Sequence, residues 1–448
     1  MNDSELNFKH SYILGISFIS ALGGYLFGFD FAVIAGALPF LREAFGLNAW
    51  WEGFLTGSLA LGCIVGCLLA GKLADRYGRK PGLLLAALIF AISSLGMAYA
   101  SNLSIFVLMR FAAGIGVGMA SMLSPLYIAE ISPAHVRGRN VAINQLTIVI
   151  GILVTNLINY TLADNGPEAW RWMFGLGAVP AVLFFIGVLW LPESPRWLLK
   201  ARQDERARKV LSAIGSEAFA AETFSTIQAS LKGAARQSFR TVFEKAVRPA
   251  VIVGITLAIF QQLCGINVVF NYTSTIFESI GADLDRQLFE TVAIGTVNLI
   301  FTVIAMWQVD KLGRRPLMLI GSLGLAVVYL VLAGVLQLEM NATVVSIFVL
   351  MAIAMYATSL APVTWVLIAE IFPNKIRGVA SSIAIVSLWI AYFILVFTFP
   401  VLAEILGTYG PFYLYAAICF AGFLFVKHRV KETKGQTLEE LEKQLIHR

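Results

Sequence analysis

Apolar stretches of about 20 residues, broken by short polar segments, run the length of this chain. They fall at roughly 12–40, 51–71, 82–100, 104–131, 139–160 and 171–191, then at roughly 248–280, 287–309, 316–337, 343–370, 378–404 and 409–426. That length matches a helix crossing the hydrocarbon of a bilayer. A membrane β-barrel would alternate in much shorter segments. The pattern predicts an all-α polytopic membrane protein whose twelve transmembrane helices come in two sets of six. Between the sets, 192–247 is rich in charge and helix formers and predicts short amphipathic helices. The expected organisation is a six-helix half (1–191), a cytoplasmic helical linker (192–247), a second six-helix half (248–426) and a polar tail (427–448) with a short helix near 437–446.

Composition agrees. The chain is 58% hydrophobic and 13% charged, against about 25% charged for soluble domains. The +6 net charge is therefore read through topology and not as a nucleic-acid footprint. Basic residues gather in alternate loops: Lys72, Arg76, Arg79 and Lys80, then Arg137 and Arg139, then Lys311, Arg314 and Arg315, then Lys375 and Arg377. The positive-inside rule puts those loops and both termini in the cytoplasm. The first apolar segment is too long for a signal peptide and is expected to stay as the first span. Cys63, Cys67, Cys264 and Cys419 lie in apolar runs without ligand spacing, so neither a disulfide framework nor a metal site is expected. With four histidines and no nucleophile–base pair in view, no enzyme and no cofactor are expected.

One carboxylate breaks the apolar pattern. Asp30 lies well inside the first span, where an ionised group is costly and usually faces a cavity or a partner. The first span runs outward and the fourth inward, so Asp30 and Arg110 both fall in the outer half of the membrane. An internal repeat is also present. Ile128-Ala129-Glu130-Ile131 through Arg137-Gly138 recurs as Ile368-Ala369-Glu370-Ile371 through Arg377-Gly378, and Asp75-Arg76-Tyr77-Gly78-Arg79-Lys80-Pro81 recurs as Asp310-Lys311-Leu312-Gly313-Arg314-Arg315-Pro316. Parallel repeats of this kind build rocking transporters with a site near the midplane.

Gly71-Lys72-Leu73-Ala74-Asp75-Arg76-Tyr77-Gly78-Arg79-Lys80 resembles the loop motif of the major facilitator superfamily. Pro192-Glu193-Ser194-Pro195-Arg196-Trp197 and Gln261-Gln262-Leu263-Cys264-Gly265-Ile266-Asn267 resemble signatures of its sugar-porter branch, and the likeness covers nearly the whole chain. The tail motif of that branch stands here as Lys431-Glu432-Thr433-Lys434-Gly435, its first position changed.

Sugars need amides that both donate and accept, and aromatic faces for their C–H surfaces. Span seven supplies Gln261, Gln262, Asn267 and Asn271. On an unbroken helix Gln262 and Asn267 diverge, so Gly265 between them predicts local unwinding; the plainer reading is interhelical hydrogen bonding. The resemblance implies sugar contacts at Gln145, Asn298, Trp365 and Trp389 as well, while Asn156 serves equally well as packing glue. It pairs Asp30 with Arg110. Arg110 favours an ionised Asp30 and burial opposes it, which suits a proton switch; the plainer reading is a static buried pair. It also implies a cytoplasmic charge network of Glu130, Arg137, Glu193 and Arg196 in the first half, and Asp310, Arg314, Glu370 and Arg377 in the second.

The chain departs from the family pattern at Asn271, where Tyr is common, at Ala361 for Gly, at Leu388 for an amide, and at Tyr392, where relatives can carry Asn. The hydroxyl pattern recognised is therefore expected to differ, and no particular sugar is carried over. The expected function is import of a hexose or pentose by alternating access with proton symport through Asp30. Partners are the sugar, the proton and the lipid bilayer of the plasma (inner) membrane, with the monomer as working unit. Facilitative uniport, proton-coupled polyol transport and sugar sensing without transport are the alternatives.

Overall fold

The computed structural model describes residues 8–232, 242, 244, 247–372 and 376–432, without the side chains of 134, 135, 309, 310, 369, 370, 377 and 378. The expected tail helix at 437–446 and the Pro373–Lys375 stretch of the second repeat lie outside the described residues.

Helices account for nearly all of it. The first sequence half contains α1 (His10–Phe45), α2 (Ala49–Tyr77), α3 (Arg79–Ala98), α4 (Leu103–Ile131), α5 (Ala134–Leu162), α6 (Ala169–Gly175) and α7 (Ala178–Trp190). The linker forms α8 (Pro195–Lys200), α9 (Asp204–Ile214) and α10 (Glu217–Lys232). The second half contains α11 (Arg248–Leu263), α12 (Ile266–Asn271), α13 (Thr273–Glu278), α14 (Leu284–Leu312), α15 (Arg314–Gln337), α16 (Ala342–Thr358), α17 (Leu360–Ile371), α18 (Arg377–Leu406) and α19 (Gly410–Arg429). Among the described residues, 12 helical stretches are long and apolar enough to cross a membrane, each overlapping one of the expected spans.

Local chemistry sets the starts. The side chains of Asn102, Asp283 and Asn341 accept backbone N–H groups in the first turns of α4, α14 and α16 at 2.9–3.0 Å. Each meets a donor that a helix start otherwise leaves unpaired. Ser194 caps α8, with Pro195 in its first turn.

Three spans are broken. Span six parts between α6 and α7, and span ten between α16 and α17 at Ser359. Span seven is cut twice. At Gly265 the backbone turns left-handed, φ 91°, and at Tyr272 it leaves the helical region again before α13. Gly265 tolerates that φ because it lacks a Cβ.

Two compact units divide the described residues. One comprises Met1–Asp30, Gly62–Ile152 and Phe174–Arg236; the other Phe31–Leu61, Leu153–Met173 and Gln237–Arg448. In the first, α3 packs on α4 and α7. The linker helices have their own core of Leu198, Leu199, Ala207, Leu211, Ala220 and Phe224, as amphipathic helices require. In the second unit α11 packs on α17 and α18, and α15 on α16 and α19.

Candidate functional site

In the first unit, Asp30 sits inside α1 at 1% exposure and Arg110 inside α4 at 0%. The Arg110 Nη1 lies 3.7 Å from Asp30 Oδ1. Among the described residues neither side chain has a hydrogen-bond partner, so their attraction is electrostatic. The guanidinium also stands 5.8 Å from the centre of the Phe174 ring, a cation–π distance, and Cys63 is buried beside the pair. The sequence singled out the two charges. Phe174 was missed, since one more aromatic in an apolar span carries no signal.

Gln145 is half-buried on α5 in this unit, next to the buried Asn144 and Thr147. The Thr147 hydroxyl donates to the Ala21 carbonyl at 2.7 Å and so ties α5 to α1.

The second unit gathers the amides of span seven. Asn267 donates through Nδ2 to Gln262 Oε1, a contact that the break at Gly265 permits. Asn271 donates through Nδ2 to the Asn267 carbonyl at 2.7 Å and to the Tyr392 hydroxyl at 3.0 Å. The Gln261 amide stands beside the Tyr356 hydroxyl. All four amides are at least nine-tenths buried. Tyr392 meets Trp389 at 5.7 Å between ring centroids and Phe31 at 6.0 Å, and Phe31 meets Phe270 at 5.5 Å. Amides beside aromatic faces are the combination a neutral polyhydroxyl ligand requires. Asn298, buried on α14, stands outside this chain of bonds, and Trp365 on α17 is 42% exposed. Asn156 donates to the Thr291 carbonyl at 2.6 Å and holds α5 to α14, so its packing reading fits the structure. Tyr356 was missed because a tyrosine in a core helix reads as filler.

The expected charge network takes a different form where it is described. Glu130 grips Arg79 with both oxygens, at 2.8 and 2.7 Å, and accepts the Ser194 hydroxyl at 2.5 Å. Glu193 accepts the backbone N–H groups of Arg79 at 2.9 Å, Lys80 at 3.1 Å and Ser194 at 2.7 Å. Burial raises the Glu193 pKa, against those three donors and the Arg79 charge. Arg137 and Arg196 are exposed; Arg79, which the repeat itself matches to Arg314, is the partner. On the other side of the repeat, Glu432 accepts the N–H groups of Arg314 at 2.9 Å and Arg315 at 3.0 Å. The side chains of Asp310, Glu370 and Arg377 lie outside the described residues.

Comparison with known proteins bears on this arrangement. The family described as Sugar (and other) transporter matches residues 16–445. The arabinose-proton symporter of Bacillus subtilis is 37% identical, over 96% of this chain and 95% of the relative. The D-xylose-proton symporter of Escherichia coli is 37% identical, over 97% and 96%. The solved inward open conformation of the xylose transporter XylE from E. coli matches with a TM-score of 0.86 and 36% identity, over 97% of this chain and 100% of that one. The fold is therefore the major facilitator fold, and the protein is an integral membrane transporter and not an enzyme. With its span-seven amides and its motif loops set as above, the chain belongs to the sugar (and other) transporter family.

Proposed function

We propose that this protein imports a monosaccharide by alternating access, driven by protons that bind at Asp30. The observation that carries the proton step is the buried Asp30–Arg110 pair, charged and 3.7 Å apart without a hydrogen bond. Protonating Asp30 abolishes the attraction at no cost in hydrogen bonds, so proton occupancy directly sets whether α1 and α4 are held. That both relatives are named as proton symporters of pentoses supports the direction of coupling.

The sugar contacts are Gln261, Gln262, Asn267 and Asn271, with Gln145, Asn298, Trp365 and Trp389 completing the site. The six-helix halves 1–191 and 248–426 are the rocking bodies and 192–247 the link between them. The charge clusters around Glu130, Glu193 and Arg314 act as cytoplasmic gates. The termini face the cytoplasm of a plasma (inner) membrane, in line with the positive-inside pattern.

The test is uptake of labelled D-xylose, L-arabinose and D-glucose into proteoliposomes, with and without an imposed pH gradient. Asp30→Asn is expected to keep sugar counterflow and lose pH-driven accumulation. Accumulation unchanged in that variant rejects the assignment, and retained counterflow shows that the variant is folded.

A further inference from the structure

The two ends of the Asn271 amide have unequal fates. Its Nδ2 serves two acceptors, the Asn267 carbonyl and the Tyr392 hydroxyl, at 2.7 and 3.0 Å. A backbone carbonyl only accepts, so turning the amide over would set two acceptors face to face. The orientation is thereby fixed. Among the described residues its Oδ1 has no donor, although the residue is 0% exposed. A buried acceptor left without a donor costs stability, and such a group in a folded protein calls for a reason. Its two partners lead to the rest of the cluster: Asn267 donates to Gln262, and the Tyr392 ring meets those of Phe31 and Trp389.

Resting on the sugar-transport reading above, we infer that Asn271 Oδ1 is an acceptor-only specificity point, which takes the proton of one sugar hydroxyl. Tyr392 is the positioning residue that, with the Asn267 carbonyl, holds the amide in that sense. Gln262 and Asn267 already spend a donor and an acceptor on each other, so Asn271 presents the committed polarity. A hydroxyl at this point is recognised as a donor and in no other way.

That polarity has a chemical signature. Replacing a hydroxyl by fluorine keeps a weak acceptor and removes the donor, whereas replacing it by hydrogen removes both. Where the protein donates to the sugar, the fluoro analogue keeps part of the affinity. Opposite Asn271, fluorine does no better than hydrogen.

The experiment uses the full chain in proteoliposomes and whichever of D-xylose, L-arabinose and D-glucose it takes up. Mono-deoxy and mono-deoxyfluoro analogues at each ring position compete with uptake of the labelled parent sugar. For the unaltered protein, one position is expected at which both analogues inhibit about tenfold more weakly than the parent, by equal amounts. In Asn271→Leu the parent weakens by the same factor and the penalty at that position disappears, while penalties elsewhere persist. Tyr392→Phe, which leaves the Asn267 anchor, reduces the penalty at that position alone; a merely structural role would weaken all positions together. The inference is overturned if the unaltered protein has no position of equal loss, a result that needs no variant to fold. It is also overturned if Asn271→Leu keeps the penalty. If none of the three sugars is taken up or bound, the sugar reading itself falls, which is a separate and distinguishable outcome.

Discussion

A charge placed in hydrocarbon is the most legible residue a membrane sequence can contain, and Asp30 and Arg110 stood out for that reason. Distance decides what they are worth to the fold. At 3.7 Å and essentially no exposure, each charge is tolerated because the other is there, and removing one strands its partner. Breaking a buried pair from one side costs about 3–5 kcal/mol. Arg110→Gln is therefore expected to destabilise the protein by about that much, and Asp30→Asn added to it to restore most of the loss. Thermal unfolding in detergent of the single and double variants measures this; additive losses would show that the two groups are not coupled. Tyr356 was not legible in the same way, and Tyr392 only as a departure from the family pattern, without its partner. Each sits in an apolar run where a tyrosine packs as readily as a phenylalanine, and only the hydroxyl's partner, Gln261 or Asn271, gives it a role.

Hydropathy located the spans because length and apolarity are properties of a segment, but it is blind to the breaks, and only one of them was readable by other means. Gly265 betrayed itself by lying between two amides that an intact helix would point apart. Ser359 and Tyr272 carry no such mark, since their departure from helical geometry depends on what packs around them. The break at Gly265 is rigidly specified: its φ is 91°, and a Cβ there would lie 2.5 Å from the Tyr415 ring. Gly265→Ala is thus expected to cost at least about 1–2 kcal/mol from the backbone alone and to abolish high-affinity sugar binding, read as loss of thermal stabilisation by the transported sugar. The short α13 beyond the second break is held by charge. Arg42, at the end of α1, grips Glu52 of α2 with two bonds at 2.7 Å, pairs with Glu278, and meets the Thr275 hydroxyl at 2.5 Å. Arg42→Ala should release α13. The native cysteines are all buried, so a cysteine placed at Ser274, itself buried on α13, reports on this cleanly, and its maleimide labelling is expected to quicken several-fold in the Arg42 variant. An unchanged rate would show that packing alone holds the helix.

For the whole chain, the internal repeat was readable in its loops, yet its most regular element was not. Gly78, with φ 104°, turns so that Glu193 receives the two N–H groups that open α3; Gly313, with φ 90°, turns so that Glu432 does the same for α15. The equivalence was obscured because Lys431 stands where the first copy has Pro192, and because the spacing between loop and glutamate differs in the two copies. A helix start gains from a carboxylate at its unpaired donors, and both copies use one. The first clasp has a pH dependence whose sign follows from its burial. Desolvation raises the Glu193 pKa in the folded protein, outweighing the N–H donors and Arg79. A carboxyl raised above its unfolded value of about 4.3 gives its full contribution to stability below that value and loses it as pH rises through the folded one. Glutamine does not titrate. The stability difference between the unaltered protein and Glu193→Gln, followed by thermal unfolding from pH 4 to pH 8, is therefore expected to be largest at the acid end and to shrink toward neutrality. A difference that instead grows with pH would mean that the ionised clasp, and not its burial, governs this turn.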